Sequence, residues 1–353
     1  MEPVTHFLTG ACLGRAGLNR TTGYATLMTT LAAEFPDIDI LWNLRGPIEG
    51  FQHHRGVTHS LIGAPLESLV VLGFVYGFHR WRTARGKAPP VNPRWGLLFL
   101  FGILALLSHI LLDFTNNYGV RPLLPFSWRW FSWDIVFIIE PVMLLVLILG
   151  LVLPGIFALV GSEIGARREV FRGRGCAVAA LLAICGFWWV RDYQHRRAVT
   201  LLSSTDYRGE VVKKDAAMPF PLTPFSWAGL IETDSFYAKV PLDSRLQSSN
   251  DVPEHAQIYY KPAETQVTLA AKRSPMGRAF LDWARFPIVE LEPQEPGSQE
   301  YVVLFRDLRF DYIGFTALGR ATRSGRIPLS TEVVLDRNLH LVATRMGDRE
   351  EKP

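Results

Sequence analysis

The run Trp95-Gly-Leu-Leu-Phe-Leu-Phe-Gly-Ile-Leu-Ala-Leu-Leu-Ser108-His109-Ile-Leu-Leu112, followed at once by Asp113, decides the fold class. Eighteen residues pass without a formal charge, the length at which an apolar stretch reads as a membrane-crossing helix. The far end of the run carries chemistry. His109 and Asp113 are four residues apart, so on a helix both side chains leave one face and can reach a shared ion. Polar groups at membrane depth are costly and mark interior sites, and the plainer alternative is a polar helix end at the interface.

Working outward, three more windows are apolar enough to span or nearly span a bilayer: 61–79, 135–153 and the shorter 175–190. They account for a hydrophobic content of 48%, high for a chain of 353 residues, and after about residue 200 no such window recurs. The net charge of +4 sits mostly beside the windows. The loop 80–94 holds Arg80, Arg82, Arg85, Lys87 and Arg94 without an acid, and the loop 162–174 holds Arg167, Arg168, Arg172 and Arg174. By the positive-inside rule both are cytoplasmic, and Arg15 and Arg20 agree. The basic balance is therefore a topology signal, and no nucleic-acid partner is expected. Cys12, Cys176 and Cys185 lie apart in apolar surroundings, as packing residues do, and no cleavable signal peptide is expected at the start.

Two short apolar pieces, 4–17 and 22–34, flank the turn Gly17-Leu18-Asn19-Arg20-Thr21. Each makes a helix of only about 20 Å. Folded as a hairpin, they return the chain to its starting level and bring His6 beside Phe35-Pro36-Asp37-Ile38-Asp39, where Pro36 stops the second helix. A polar loop follows over 40–60. His59, Gly63 and Glu67 are spaced to share one helix face leading into the next window. Beyond 200, Pro-punctuated segments and alternation in Ser235–Val240, Gln257–Tyr260, Gln266–Ala270, Tyr301–Phe305 and Thr331–Leu335 predict strands. The expected architecture is an α-helical integral membrane domain with about four transmembrane helices and a short N-terminal hairpin, then a mainly β soluble domain. The expected boundaries are 1–160, 161–198 and 199–353, with the last part extracytoplasmic.

The densest chemistry lies at His53-His54-Arg55-Gly56-Val57-Thr58-His59-Ser60. His54 and His59 are the better ligand candidates, His53 has no assigned role, and Arg55 is suited to bind an anionic oxygen. A basic interfacial loop with a helix cap at Thr58 or Ser60 is the alternative. Asp37 and Asp39 offer two carboxylates just after a helix, as a solvated loop end also does. Asp134 and Glu140 flank the 135–153 window and either serve function or pair with Arg121 or Arg129, while Trp128, Trp130 and Trp133 read as an interfacial aromatic belt. The topology brings His6, Asp37, Asp39, His54, His59, His109 and Asp113 to one membrane face. Nitrogen and oxygen ligands without thiolates suit zinc first, and manganese or iron(II) also, with one or two ions accommodated. Metal ions in such a setting promote phosphoester hydrolysis.

The same residues carry a resemblance. Pro3-Val4-Thr5-His6, Phe35-Pro36-Asp37-Ile38-Asp39, the His53–Ser60 octapeptide, and Ser108-His109 with Asp113 and Asn117-Tyr118-Gly119 resemble the YdjM-like, LexA-regulated, membrane-bound metal-dependent hydrolases over about the first 150 residues. The resemblance implies a metal-dependent hydrolase of the bacterial inner membrane. The set is more distantly similar to the helical zinc-dependent phospholipase C and single-strand nuclease group, which implies His6, Asp37, His59, His109 and Asp113 as direct ligands. This chain departs from that group in having no second H-x-x-x-D pair before residue 195. The expectation is a multi-pass hydrolase of a phosphoester or other ester in a lipid-linked substrate, with Arg55 steadying the anion and Asp39 or Glu140 as base. Two other readings are a non-catalytic metal-binding or ion-transporting membrane protein, with Glu67 and Glu140 on an ion path, and a structural anchor for the β domain.

Overall fold

A computed structural model describes residues 1–163, 173–246, 256–293, 299–311 and 329–353. Arg167, Arg168 and Arg172 of the expected basic loop lie outside the described residues. The chain divides into two compact units. One comprises Met1–Asp39, Arg55–Gln194 and Pro219–Pro224, and the other Ile40–His54, His195–Met218 and Phe225–Pro353.

The first unit is helical. Helices α1 (Pro3–Arg15) and α2 (Ala25–Glu34) form the short hairpin expected from the turn at 17–21. Their seam depends on Gly10 and Gly14, one turn apart on α1. A Cβ on Gly10 would lie 2.5 Å from the Thr29 carbonyl oxygen, and one on Gly14 would lie 2.5 Å from Thr26 Cα. Small residues at this spacing let two backbones approach where lipid offers no hydrophobic drive. Chain order continues with α3 (Pro47–His53), α4 (Gly63–Ala84), α5 (Trp95–Thr115), α6 (Pro141–Glu163) and α7 (Arg174–Ser203). Met28 and Ala32 of α2 pack with Val71 and Val75 of α4 and Leu98 and Leu106 of α5. A second cluster joins Cys12, Leu112, Met143, Leu147, Ala177 and Ile184 from α1, α5, α6 and α7.

Among the described residues, three helices are long and apolar enough to cross a membrane: α5, α6 over Pro141–Leu159, and α7. The window at 61–79 does form α4, but α4 reaches that standard only together with Pro47–His59, from which it is bent by 86°. Glu67 within α4, and Arg80 and Arg82 in its last turns, dilute its apolar character. The short 175–190 window is the first half of a 30-residue helix. His59 does not continue α4 as the i, i+4 spacing suggested. It closes a 3-10 turn, Val57–His59, after which Ser60 Oγ accepts the N–H of Gly63 at 3.0 Å.

The second unit is mainly β. Strands β1 (Lys214–Pro219), β2 (Ser226–Glu232), β3 (Phe236–Asp243) and β4 (Gln257–Tyr260) form one sheet in chain order. After α8 (Gln266–Arg273) and α9 (Pro275–Trp283), a second sheet follows from β5 (Pro287–Leu291), β6 (Glu300–Asp307), β7 (Thr331–Asp336), β8 (Leu341–Met346) and β9 (Arg349–Glu351). Pairings β2–β3, β3–β4 and β5 through β9 are antiparallel. Alternation reads out directly in β6, where Val303, Phe305 and Asp307 are buried. Ala198, Leu201 and Leu202, on the last turns of α7, complete the first sheet's core with Trp227, Phe236 and Val240.

Two expectations are corrected here. Gln266–Ala270 is helical, because Thr265 and Thr268 form a reciprocal capping box that starts α8, and five alternating residues do not distinguish a strand from one helical turn. The polar loop 40–60 contains α3, whose Phe51 stacks on Phe280 and meets Trp283 edge-on, with ring centroids 6.0 and 5.3 Å apart.

The glycine seam gives a direct test. Gly14→Ala should lower the unfolding midpoint in detergent, at a cost of about 1–3 kcal/mol for overpacking. Gly73→Ala on α4, whose added Cβ meets nothing within 4 Å, should leave it unchanged or slightly higher.

Candidate metal centre

Four chain segments place the site. His6 lies on α1, and Asp37 and Asp39 follow the end of α2. His59 ends its 3-10 turn, and His109 and Asp113 sit one turn apart near the end of α5. Among the described residues, Asp37, His59, His109 and Asp113 each direct one donor atom into a common space, all within 4.8 Å of one another. His59 Nε2 lies 3.0 Å from His109 Nε2, 3.2 Å from Asp113 Oδ2 and 3.5 Å from Asp37 Oδ1. His109 Nε2 lies 3.6 Å from Asp113 Oδ2 and 3.7 Å from Asp37 Oδ1. Bonds of about 2.0–2.1 Å to a tetrahedral ion would set its ligands about 3.3–3.4 Å apart, and these separations bracket that value.

The protons are committed elsewhere. His109 Nδ1 is 2.7 Å from the Ala33 carbonyl, which only accepts, so Nδ1–H donates and Nε2 presents a lone pair. Asp39 Oδ2 lies 3.4 Å from His59 Nδ1, which favours the proton on that nitrogen and leaves Nε2 facing the cluster. Asp113 Oδ2 is buried without a hydrogen-bond donor. Two imidazole lone pairs and two carboxylate oxygens thus converge, and the donor set fits a divalent cation. Three of the four residues are fully buried, and Asp37, 22% exposed, marks the open side.

The carboxylate of Asp113 divides its work. While Oδ2 faces the cluster, Oδ1 accepts from Arg55 Nη2 at 2.9 Å, contacts the Met1 amino group and lies 3.4 Å from His6 Nε2. His6 stacks on His109 with ring centroids 3.7 Å apart, and neither of its nitrogens has a hydrogen-bond partner. Burial, with His109 next, holds the His6 imidazole well below its usual pKa, so it is neutral and able to ligate. Glu34, at the end of α2, is pushed up to about 7, mainly by burial and then by Asp37.

Arg55, expected to reach an anionic substrate, turns inward and is 4% exposed. Besides Asp113, it donates from Nη1 to Asn116 Oδ1 at 3.2 Å and to the Gly119 carbonyl at 3.0 Å, and it lies over the Tyr118 ring. Its backbone takes a left-handed φ of +52°, held by its N–H donating to Asp39 Oδ2 at 2.7 Å. Asp39 therefore ties Arg55 and His59 together. Asn116, one turn beyond Asp113, escaped sequence reasoning although its i, i+3 spacing from Asp113 was visible. Of the expected site residues, His6, Asp39, His54, Arg55 and Glu140 are not among the converging four. His54 belongs to the other compact unit. Glu140 precedes α6 and accepts the backbone N–H of Leu222 at 3.0 Å and of Val142 at 3.5 Å.

A family model described as YdjM inner membrane protein matches residues 1–198, which takes in every residue of this centre. The chain belongs to that family. The chain is similar to the uncharacterized protein YfhP of Bacillus subtilis strain 168, 27% identical over 149 residues. That match covers 40% of this chain and 42% of YfhP, less than half of either. No solved structure matches. The YdjM family match and the apolar helices together support an inner-membrane location.

Elemental analysis of this YdjM-family protein purified in detergent should find a divalent metal near stoichiometry, and His59→Ala and Asp113→Ala should each lose it. Full metal retention in both variants would remove the centre. Asp39→Asn, which spares the converging donors, should weaken metal affinity about 10–100-fold.

Proposed function

We propose that the protein is a membrane-bound, divalent-metal-dependent hydrolase acting on a phosphoester or other ester bond of a lipid-linked substrate. The observation that carries this reading is the convergence of His59, His109, Asp37 and Asp113, whose facing donor atoms all lie within 4.8 Å of one another. An ion held there, zinc first by its ligand chemistry, supplies Lewis acidity toward an ester oxygen and makes water more acidic. Asp37, on the open side, is the ligand nearest an incoming substrate. Asp39 orients His59, and Arg55 and Asn116 fix Asp113 in place. His6, neutral and 3.4 Å from Asp113 Oδ1, would be a further ligand beside these four.

The membrane arrangement we propose counts Pro47–His59 with α4 as one span, giving four. It places the centre and the β unit on the non-cytoplasmic side, opposite the basic loop 80–94. A site at the membrane surface favours amphiphilic substrates, which arrive by lateral diffusion. Exposed Val57, Leu61 and Ile62 beside His59 and exposed Ile38 beside Asp37 give the neighbourhood an apolar border that suits acyl chains.

The test is turnover. Protein stripped by chelator and reloaded with zinc, manganese or iron(II) should hydrolyse a phospholipid or a generic phosphodiester, and His109→Ala and Asp113→Asn should abolish the activity. Stoichiometric metal with no turnover across a broad ester panel would overturn the hydrolase in favour of a metal-binding protein.

A further inference from the structure

The metal centre gathers the N-terminal end of α1, the C-terminal ends of α2 and α5, and the turn before α4. The opposite ends of these helices hold a separate feature. A cavity of about 250 Å³ opens there, lined by Asn19, Thr22 and Tyr24 from the turn before α2, by Thr26 on its first turn, by Arg82 near the end of α4, and by Pro90. It is smaller than the roughly 300–1,000 Å³ of pockets that enclose drug-sized ligands, and is the size of a headgroup.

Its chemistry is one-sided. None of the lining residues is acidic, and Arg82 brings a guanidinium whose Nε donates to the Lys87 carbonyl at 3.1 Å, fixing the side chain at the rim. Arg20, Arg80, Arg85, Lys87 and Arg94 surround it in sequence with no acid between 80 and 94, so the local field favours an anion. Hydroxyl, amide and phenol groups add hydrogen-bonding capacity, and no side chain caps the start of α2.

The position also has a signature. Tyr76 and Trp81 are exposed on the last turns of α4, Arg85 lies over Trp81 at 4.3 Å, and Tyr76 meets Trp95 at the start of α5. Exposed aromatics beside basic residues at helix ends mark the level of lipid headgroups. We propose that this cavity binds the phosphate of an anionic phospholipid headgroup, at the face of the membrane opposite the metal centre. It requires nothing of the metal centre, and its ligand is retained rather than converted.

The test uses the full chain in detergent, with lipid retention read by native mass spectrometry during titration with phosphatidylglycerol, phosphatidylcholine or inorganic phosphate. Phosphatidylglycerol should be retained well above phosphatidylcholine. Arg82→Gln should weaken that retention about tenfold or more, as loss of a charge-assisted contact does. Arg82→Lys should keep most of it, and Arg85→Gln, the same charge change outside the cavity, should have little effect. An unchanged circular-dichroism spectrum and unfolding midpoint in each variant show that the helices are assembled. Competition by inorganic phosphate at similar concentration would identify free phosphate as the source of the anion. Equal losses in Arg82→Gln and Arg85→Gln, or none in Arg82→Gln, would overturn the site.

Discussion

Two imidazole nitrogens 3.0 Å apart face two carboxylate oxygens, and three of the four side chains that carry them are fully buried. Such acceptors repel one another, and the burial that surrounds them strengthens the repulsion by lowering the local dielectric. A cation among them would turn that repulsion into attraction. Much of the surrounding structure serves to hold these four groups close. Ala33 fixes one imidazole by its carbonyl, Asp39 faces the other, and Arg55 and Asn116 fix Asp113 from behind.

Helix length does the long-range part of the positioning. A 13-residue and a 10-residue helix, α1 and α2, cannot each cross a bilayer, so their hairpin returns Asp37 to the level of His6. The close approach permitted by Gly10 and Gly14 keeps the two helices in register. At 21 residues, α5 is long enough to span, and it delivers His109 and Asp113 to that same level from the other direction. The turn after Gly56 then brings His59 in sideways.

Much of this was legible in the sequence because it rests on local regularities. The charge-free run at 95–112, the i, i+4 spacing of His109 and Asp113, and the turn at 17–21 each carry their own geometry. The alternation that marks β3, β6 and β7 is equally local. What was not legible depends on contacts between distant residues. That Arg55 would turn inward could not be read from an octapeptide rich in histidine, since its partners Asn116 and Gly119 lie some 60 residues away. Gln266–Ala270 misled because five residues fit two periods, and the cap that decides between them comes before the segment. Glu140 looked like an intramembrane acid seeking an ion, but its partner is the backbone N–H of Leu222, 82 positions distant.

The unequal burial of the four donors has a kinetic meaning. An ion enclosed by His59, His109 and Asp113 has no path outward through those residues, because each is fully buried and held from behind. Exchange with the surroundings would pass Asp37, the one of the four that is partly exposed. Residence time would then depend on that one carboxylate while affinity reflected all four groups, and the two properties would be separately adjustable by substitution.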